Sequence, residues 1–112
     1  MQTYTPDTWV ILLFDSPEYG KIHKVFSGWH GGYTQGDSWK LSSGIKTFVN
    51  EGKFYSSLQD SGRIYNLYKQ SEKLSGYQSS ILAGWTEKMA NIQGRIVVID
   101  SLNFIEGLRY DF

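Results

Sequence analysis

Two triplets that end in glycine constrain this chain more than any other feature. Asn50-Glu51-Gly52 and Asp60-Ser61-Gly62 separate three short apolar runs, "IKTFVN", "KFYSSLQ" and "RIYNLYKQ". A three-residue hairpin loop commonly makes a type I turn and then needs one left-handed residue, which glycine adopts without a Cβ clash. Two such loops in succession predict a tight antiparallel meander from Ile45 to Gln70.

The flanking sequence extends that sheet. "TWVILLFD" (Thr8 to Asp15) is apolar at consecutive positions, as expected of a strand covered on both faces. "SPEYG" ends it, and "KIHKVFSGW" follows as its hairpin partner, with "SWKLS" a further short piece. A weak echo between "DSPEYGKIHKVF" and "DSGRIYNLY" reflects the turn and strand chemistry common to β proteins.

One helix is predicted over about 76–92. Tyr77, Ile81, Leu82, Trp85, Met89 and Ile92 fall at helical spacing and make a single apolar stripe. Ser75 and Gln78 form a capping-box pattern at its start, and Gly94 stands beyond its end, where a left-handed residue is favoured. "RIVVID" then reads as a buried strand, placed beside Thr8 to Asp15. The tail "SLNFIEGLRYDF" is apolar enough to pack on the body. The expected fold is a single α+β domain over residues 1–112. Six to seven short antiparallel strands form the sheet, one helix covers it, and a buried strand follows that helix.

Charge and composition narrow the partners. Eleven basic and eleven acidic residues give a formal net charge of +0. The balance holds on both sides of Ser56, so the basic excess of a non-specific nucleic-acid binder is missing. No cysteine is present, which removes disulfides and thiolate metal sites. The apolar run "WVILLF" lacks a basic flank and is too short for a signal or a membrane span. A soluble cytoplasmic protein is expected.

The stretch "FSGWHGGYTQGDSWKLSSG" sets rings among glycines and serines. It lacks both G-x-G-x-x-G and a terminal Gly-Lys-Ser/Thr, so neither phosphate-loop fingerprint is present. Glycines here serve sharp bends or close approach by a partner. Trp29, Tyr33 and Trp39 serve either as lids over the core or as contact residues. Trp39 opens the next strand and is expected to turn toward the core. A metal site at His23 and His30 would need carboxylates such as Asp37 or Glu18 to converge on them, which nothing in the spacing requires, so no metal site is expected. No cofactor motif is present. Ser43-Gly44-Ile45-Lys46 matches S-x-x-K, but between strands and not on a helix turn. Asp15, Asp60 and Asp100 give no reason to choose a catalytic pair, and Asp100 reads as a turn-forming or solvated residue.

The pattern points to a small non-catalytic binding module that engages a protein partner through the aromatic, glycine-rich loop. Trp29, His30, Tyr33 and Trp39 are the expected contacts. The alternative is a nucleotide-sized planar ligand or a short single strand stacked on sheet rings, which adds Tyr65 and Tyr68, beside Phe48, Phe54 and Tyr55. A third reading is an enzyme with dispersed polar residues. Self-association is left open. The size, neutrality and Trp, Tyr and Gly content resemble those of small viral or mobile-element accessory proteins, including phage proteins.

Overall fold

The computed structural model describes residues 3–31 and 36–110. Among the described residues seven strands run β1 (Thr3–Tyr4), β2 (Thr8–Ser16), β3 (Gly20–Trp29), β4 (Ser38–Asn50), β5 (Phe54–Gln59), β6 (Ile64–Tyr68) and β7 (Arg95–Ile99). A 3-10 turn (Lys69–Ser71) and helix α1 (Gly76–Ala90) precede β7, and helix α2 (Ser101–Tyr110) follows it. The sheet order is β1-β6-β5-β4-β3-β2-β7. The predicted meander is present as β4-β5-β6. Its loops turn at Gly52 (φ 95°) and Gly62 (φ 90°), so both glycines hold the left-handed conformation the triplets require.

The sheet is not wholly antiparallel. Strand β1 pairs in parallel with β6, Thr3 opposite Ile64 and Tyr4 opposite Tyr65. That pair forces the sheet to curl. From Tyr4 to Thr8 the chain can reach about 14 Å at most. In a flat sheet the strand order would separate β1 from β2 by about 24 Å, at roughly 4.8 Å per strand. Only a curled sheet brings them within reach. Contacts across the closure agree: Trp9 Nε1 donates to the Tyr68 carbonyl at 2.8 Å, and the Lys73 amide donates to the Trp9 carbonyl at 2.9 Å.

Curling separates an inner layer from an outer one. Trp9, Ile11, Val25, Tyr55, Tyr65 and Leu67 point inward and are buried, and Phe104 of α2 closes the layer at one end. Its ring meets Phe48 at 5.2 Å and His23 at 4.9 Å. Val10, Leu12 and Phe26 point outward, beneath Ile81, Leu82 and Trp85 of α1. The continuous apolar run of β2 follows from this arrangement, because each of its faces enters a different core.

The helix α1 is fixed at its first turn. The capping box is present: Ser75 Oγ accepts from the Gln78 amide at 3.1 Å, and Gln78 Oε1 accepts from the Ser75 amide at 3.1 Å. The buried Gln78 side chain also receives the Thr8 hydroxyl and donates from Nε2 to the Phe26 carbonyl at 3.2 Å. It thereby pins the helix to β2 and β3. Gly28 lies beneath it, and a Cβ there would stand 2.7 Å from Gln78 Cδ and 2.9 Å from Thr8 Oγ1.

Several expectations are corrected. The sheet carries two helices, not one: the tail forms α2, whose first amides are capped by the Asp100 carboxylate (to Leu102, 2.8 Å) and by Glu72 (to Ser101, 2.8 Å). The helix α1 ends at Ala90, and the left-handed residue after it is Gln93 (φ 57°), not Gly94. The Gly94 amide instead reaches back to the Met89 carbonyl at 2.8 Å, closing a Schellman-type end. The "RIVVID" segment does pair with β2, but as a half-buried edge strand. "SWKLS" and "IKTFVN" are one 13-residue strand, β4, with register shifts opposite Val25 and between Ile45 and Thr47. Its first half pairs with β3 and its second half with β5, so β4 is the bend of the curled sheet.

Candidate functional site

The fold scatters the sequence-selected rings. Trp29 is half-buried, donates from Nε1 to the Thr5 carbonyl at 3.1 Å, and meets Tyr4 edge-on at 6.1 Å. His30 is exposed, and its amide donates to Asp7 Oδ2 at 2.8 Å. Tyr33 lies outside the described residues. Tyr65 and Tyr68 do not share a face, since an odd separation on a strand reverses direction. Tyr65 is 2% exposed in the inner layer, its ring tilted against Tyr4 at 5.2 Å, whereas half-buried Tyr68 packs on Phe54 at 5.2 Å. Burial pushes the Tyr65 hydroxyl above its ordinary value of 10.0, with Tyr4 adding to the shift and Arg63 opposing it.

Trp39 does not turn into the core. It stands on the outer face, 39% exposed, edge-on to Trp85 at 5.1 Å and to Phe26 at 6.1 Å. Of the six selected residues, Trp39 and Tyr65 border one common cleft, between the first half of β4 and the β5–β6 turn.

Beside the Trp39–Trp85 pair runs an apolar groove. A hollow of about 310 Å³ lies between α1 and the sheet, lined by Phe14, Leu41, Trp85, Lys88, Met89 and Ile96. A second hollow, of about 220 Å³, shares Phe14 and Met89 with it and continues to Tyr19, Ile22 and Ile92. The groove exists because α1 is narrower than the face it covers. Its backbone runs closest to β7, so the outward Phe26 of β3 is covered while Ile22 of β3 and Trp39 of β4 stay partly open. Ile22 is 39% exposed and Ile92 48%. Lys24 lies along one wall, its Nζ 5.7 Å from the centre of the Phe14 ring.

Sequence reasoning assigned Trp85, Met89 and Ile92 to a covered helix stripe and did not select the groove. The available signal was the width of the apolar surface. Phe14, Ile22 and Leu41 come from three different strands and all point outward, more than one helix of 15 residues can roof. Among the described residues, no helix is long and apolar enough to cross a membrane. Comparison of the chain with protein-family models, with curated proteins and with solved structures gives no match.

Proposed function

We propose that this chain is a non-catalytic binding module that holds a segment of a protein partner in the groove between α1 and β3–β4. The observation that carries this reading is the open, largely apolar channel itself, walled by Trp85, with the exposed Trp39 ring edge-on to that indole at 5.1 Å. Exposed apolar side chains gathered around a hollow, here Tyr19, Ile22 and Ile92, are commonly retained for a partner. Tryptophans beside a preformed hollow are also the usual anchors of interface affinity.

The chemistry of the channel describes the occupant. Its lining residues include Lys24 and Lys88 and no carboxylate. The complementary segment is apolar along one side and acidic at its flanks, and an amphipathic helix laid against α1 meets both demands. Of the aromatic stretch, Trp39 takes part, standing against Trp85 beside the channel.

The test is site-specific photo-crosslinking. A photoreactive residue placed at Ile22 or Ile92 is expected to capture the same protein from cell extract, while one at exposed Lys46, on the far half of β4, captures none of it. Equal capture from all three positions, or capture through position 30 alone, contradicts the groove.

A further inference from the structure

We infer that the cleft where β4 parts from β5 is a binding site for a phosphate group, held by Lys40, Arg63 and the hydroxyls of Ser43 and Ser61. This inference is independent of the protein-partner groove and concerns the other side of Trp39. The cleft has a volume of about 330 Å³ and is bounded by Trp39 to Ser43 on one side and by Ser61, Arg63 and Tyr65 on the other. That volume lies at the small end of the range for ligand sites, about 300–1,000 Å³.

The cleft arises from the curl. Up to Gly44, β4 pairs with β3, and from Ile45 onward it pairs with β5. The two halves of the sheet part at the Asp60 amide, which donates to the Gly44 carbonyl at 2.8 Å. Beyond that point the stretch Trp39–Ser43 keeps one neighbour, β3, and its second edge opens on the cleft.

The polar groups there are biased toward donation. Ser43 Oγ accepts the Ser61 amide at 3.0 Å, and Ser61 Oγ accepts the Arg63 amide at 3.4 Å. Each hydroxyl already accepts one backbone amide and keeps its proton to give. Ser42 differs, because it accepts from the Val25 amide at 2.8 Å and donates to the Ser43 carbonyl at 2.6 Å, and so offers no proton.

Lys40 and Arg63 add two cations from different strands. No carboxylate lines the cleft, and neither cation is paired with one among the described residues. The Lys40 ammonium is held 5.2 Å from the centre of the Tyr4 ring, a contact that leaves its charge unneutralised. The Tyr65 hydroxyl, raised above its ordinary value by burial, brings no negative charge at neutral pH. Two cations and two spare hydroxyl donors suit a tetrahedral oxyanion, and a guanidinium matches phosphate oxygens bidentately. Trp39, 39% exposed, borders the cleft, where a planar group attached to that phosphate would meet it.

The experiment is a titration of the isotope-labelled protein followed by amide and indole NMR shifts, with inorganic phosphate, adenosine monophosphate and adenosine as probes. Phosphate is expected to move the signals of Lys40, Ser43, Ser61 and Arg63 with a Kd of about 1 mM or tighter, more than chloride does at equal ionic strength. Arg63→Ala and Lys40→Ala should each weaken binding about tenfold, while Lys46→Ala leaves it unchanged. The monophosphate binding tighter than phosphate identifies a nucleotide-like ester, and equal binding identifies the phosphate group alone. Either result supports the site. Shifts no larger than those with chloride, shifts that persist in Lys40→Ala/Arg63→Ala, or adenosine binding as well as its monophosphate would overturn it.

Discussion

The inner and outer layers of this protein are built from the same strands and end in different states. Trp9, Ile11, Val25 and Leu67, on the inner side, are fully buried. On the outer side Val10, Leu12 and Phe26 are buried, yet Ile22 and Trp39, on the same strands as buried residues, remain well exposed. Curvature explains the contrast. A concave face supplies its own walls from every strand, so the inner layer needs only the Phe104 end of α2 to close it. A convex face must be roofed from outside, and α1, about 22 Å long, covers a band of it. What remains uncovered is apolar surface that folding has no element to bury.

The largest effect should come from emptying the inner layer. Trp9→Ala removes a fully buried indole and its hydrogen bond to Tyr68, and should cost about 4–5 kcal/mol in urea unfolding. Trp85→Ala, in the half-roofed outer layer, should cost about 2 kcal/mol, because part of its ring already faces water. Equal losses would erase the distinction between the layers.

Gly28→Ala tests the pin between α1 and the sheet. The added methyl meets Gln78 and Thr8 at distances no unstrained Cβ shows, so the side chain that anchors the helix must move. A loss of about 2 kcal/mol is expected, with the Trp85 fluorescence altered. An unchanged melting temperature would mean that the Gln78 contacts do not hold the helix.

Tyr65 gives the comparison a pH dependence. Its native pKa is raised, so above pH 10 the unfolded chain releases a proton that the native chain retains. Its contribution to stability is therefore complete below pH 10 and is lost as pH rises through the native value. Tyr65→Phe should make alkaline unfolding start at higher pH, with little change at pH 7. The same alkaline profile in parent and variant would contradict burial of the hydroxyl.

What was legible in the sequence was local. The Gly52 and Gly62 turns and the Ser75–Gln78 capping box depend on residues within three positions of each other. Distant partners were not legible. Strand β1 has two residues and its pairing lies across the whole sheet, while the start of α2 rests partly on Glu72, 29 positions away. Strand β4 was obscured by its own bulges. Leu41 faces outward, but Ile45 and Phe48 both face inward, so the alternation breaks at each register shift and the strand reads as two fragments. The same bend decides that Trp39 faces outward and opens the cleft beside it. Of the candidate site, the sequence marked Trp39 but not the groove, whose walls come from five separate elements, β2, β3, β4, α1 and β7.

The most direct measurement bears on the uncovered outer surface itself. Ile22→Glu and Ile92→Glu replace side chains that are 39% and 48% exposed with acids, facing an occupant expected to carry acids. The double variant should melt within about 1 kcal/mol of the parent, because little buried area is lost. Its affinity for the purified protein captured through position 22, measured by calorimetry, should fall at least about tenfold, or roughly 1.4 kcal/mol. An unchanged affinity with the fold intact would show that the groove is bare surface and that the partner binds elsewhere.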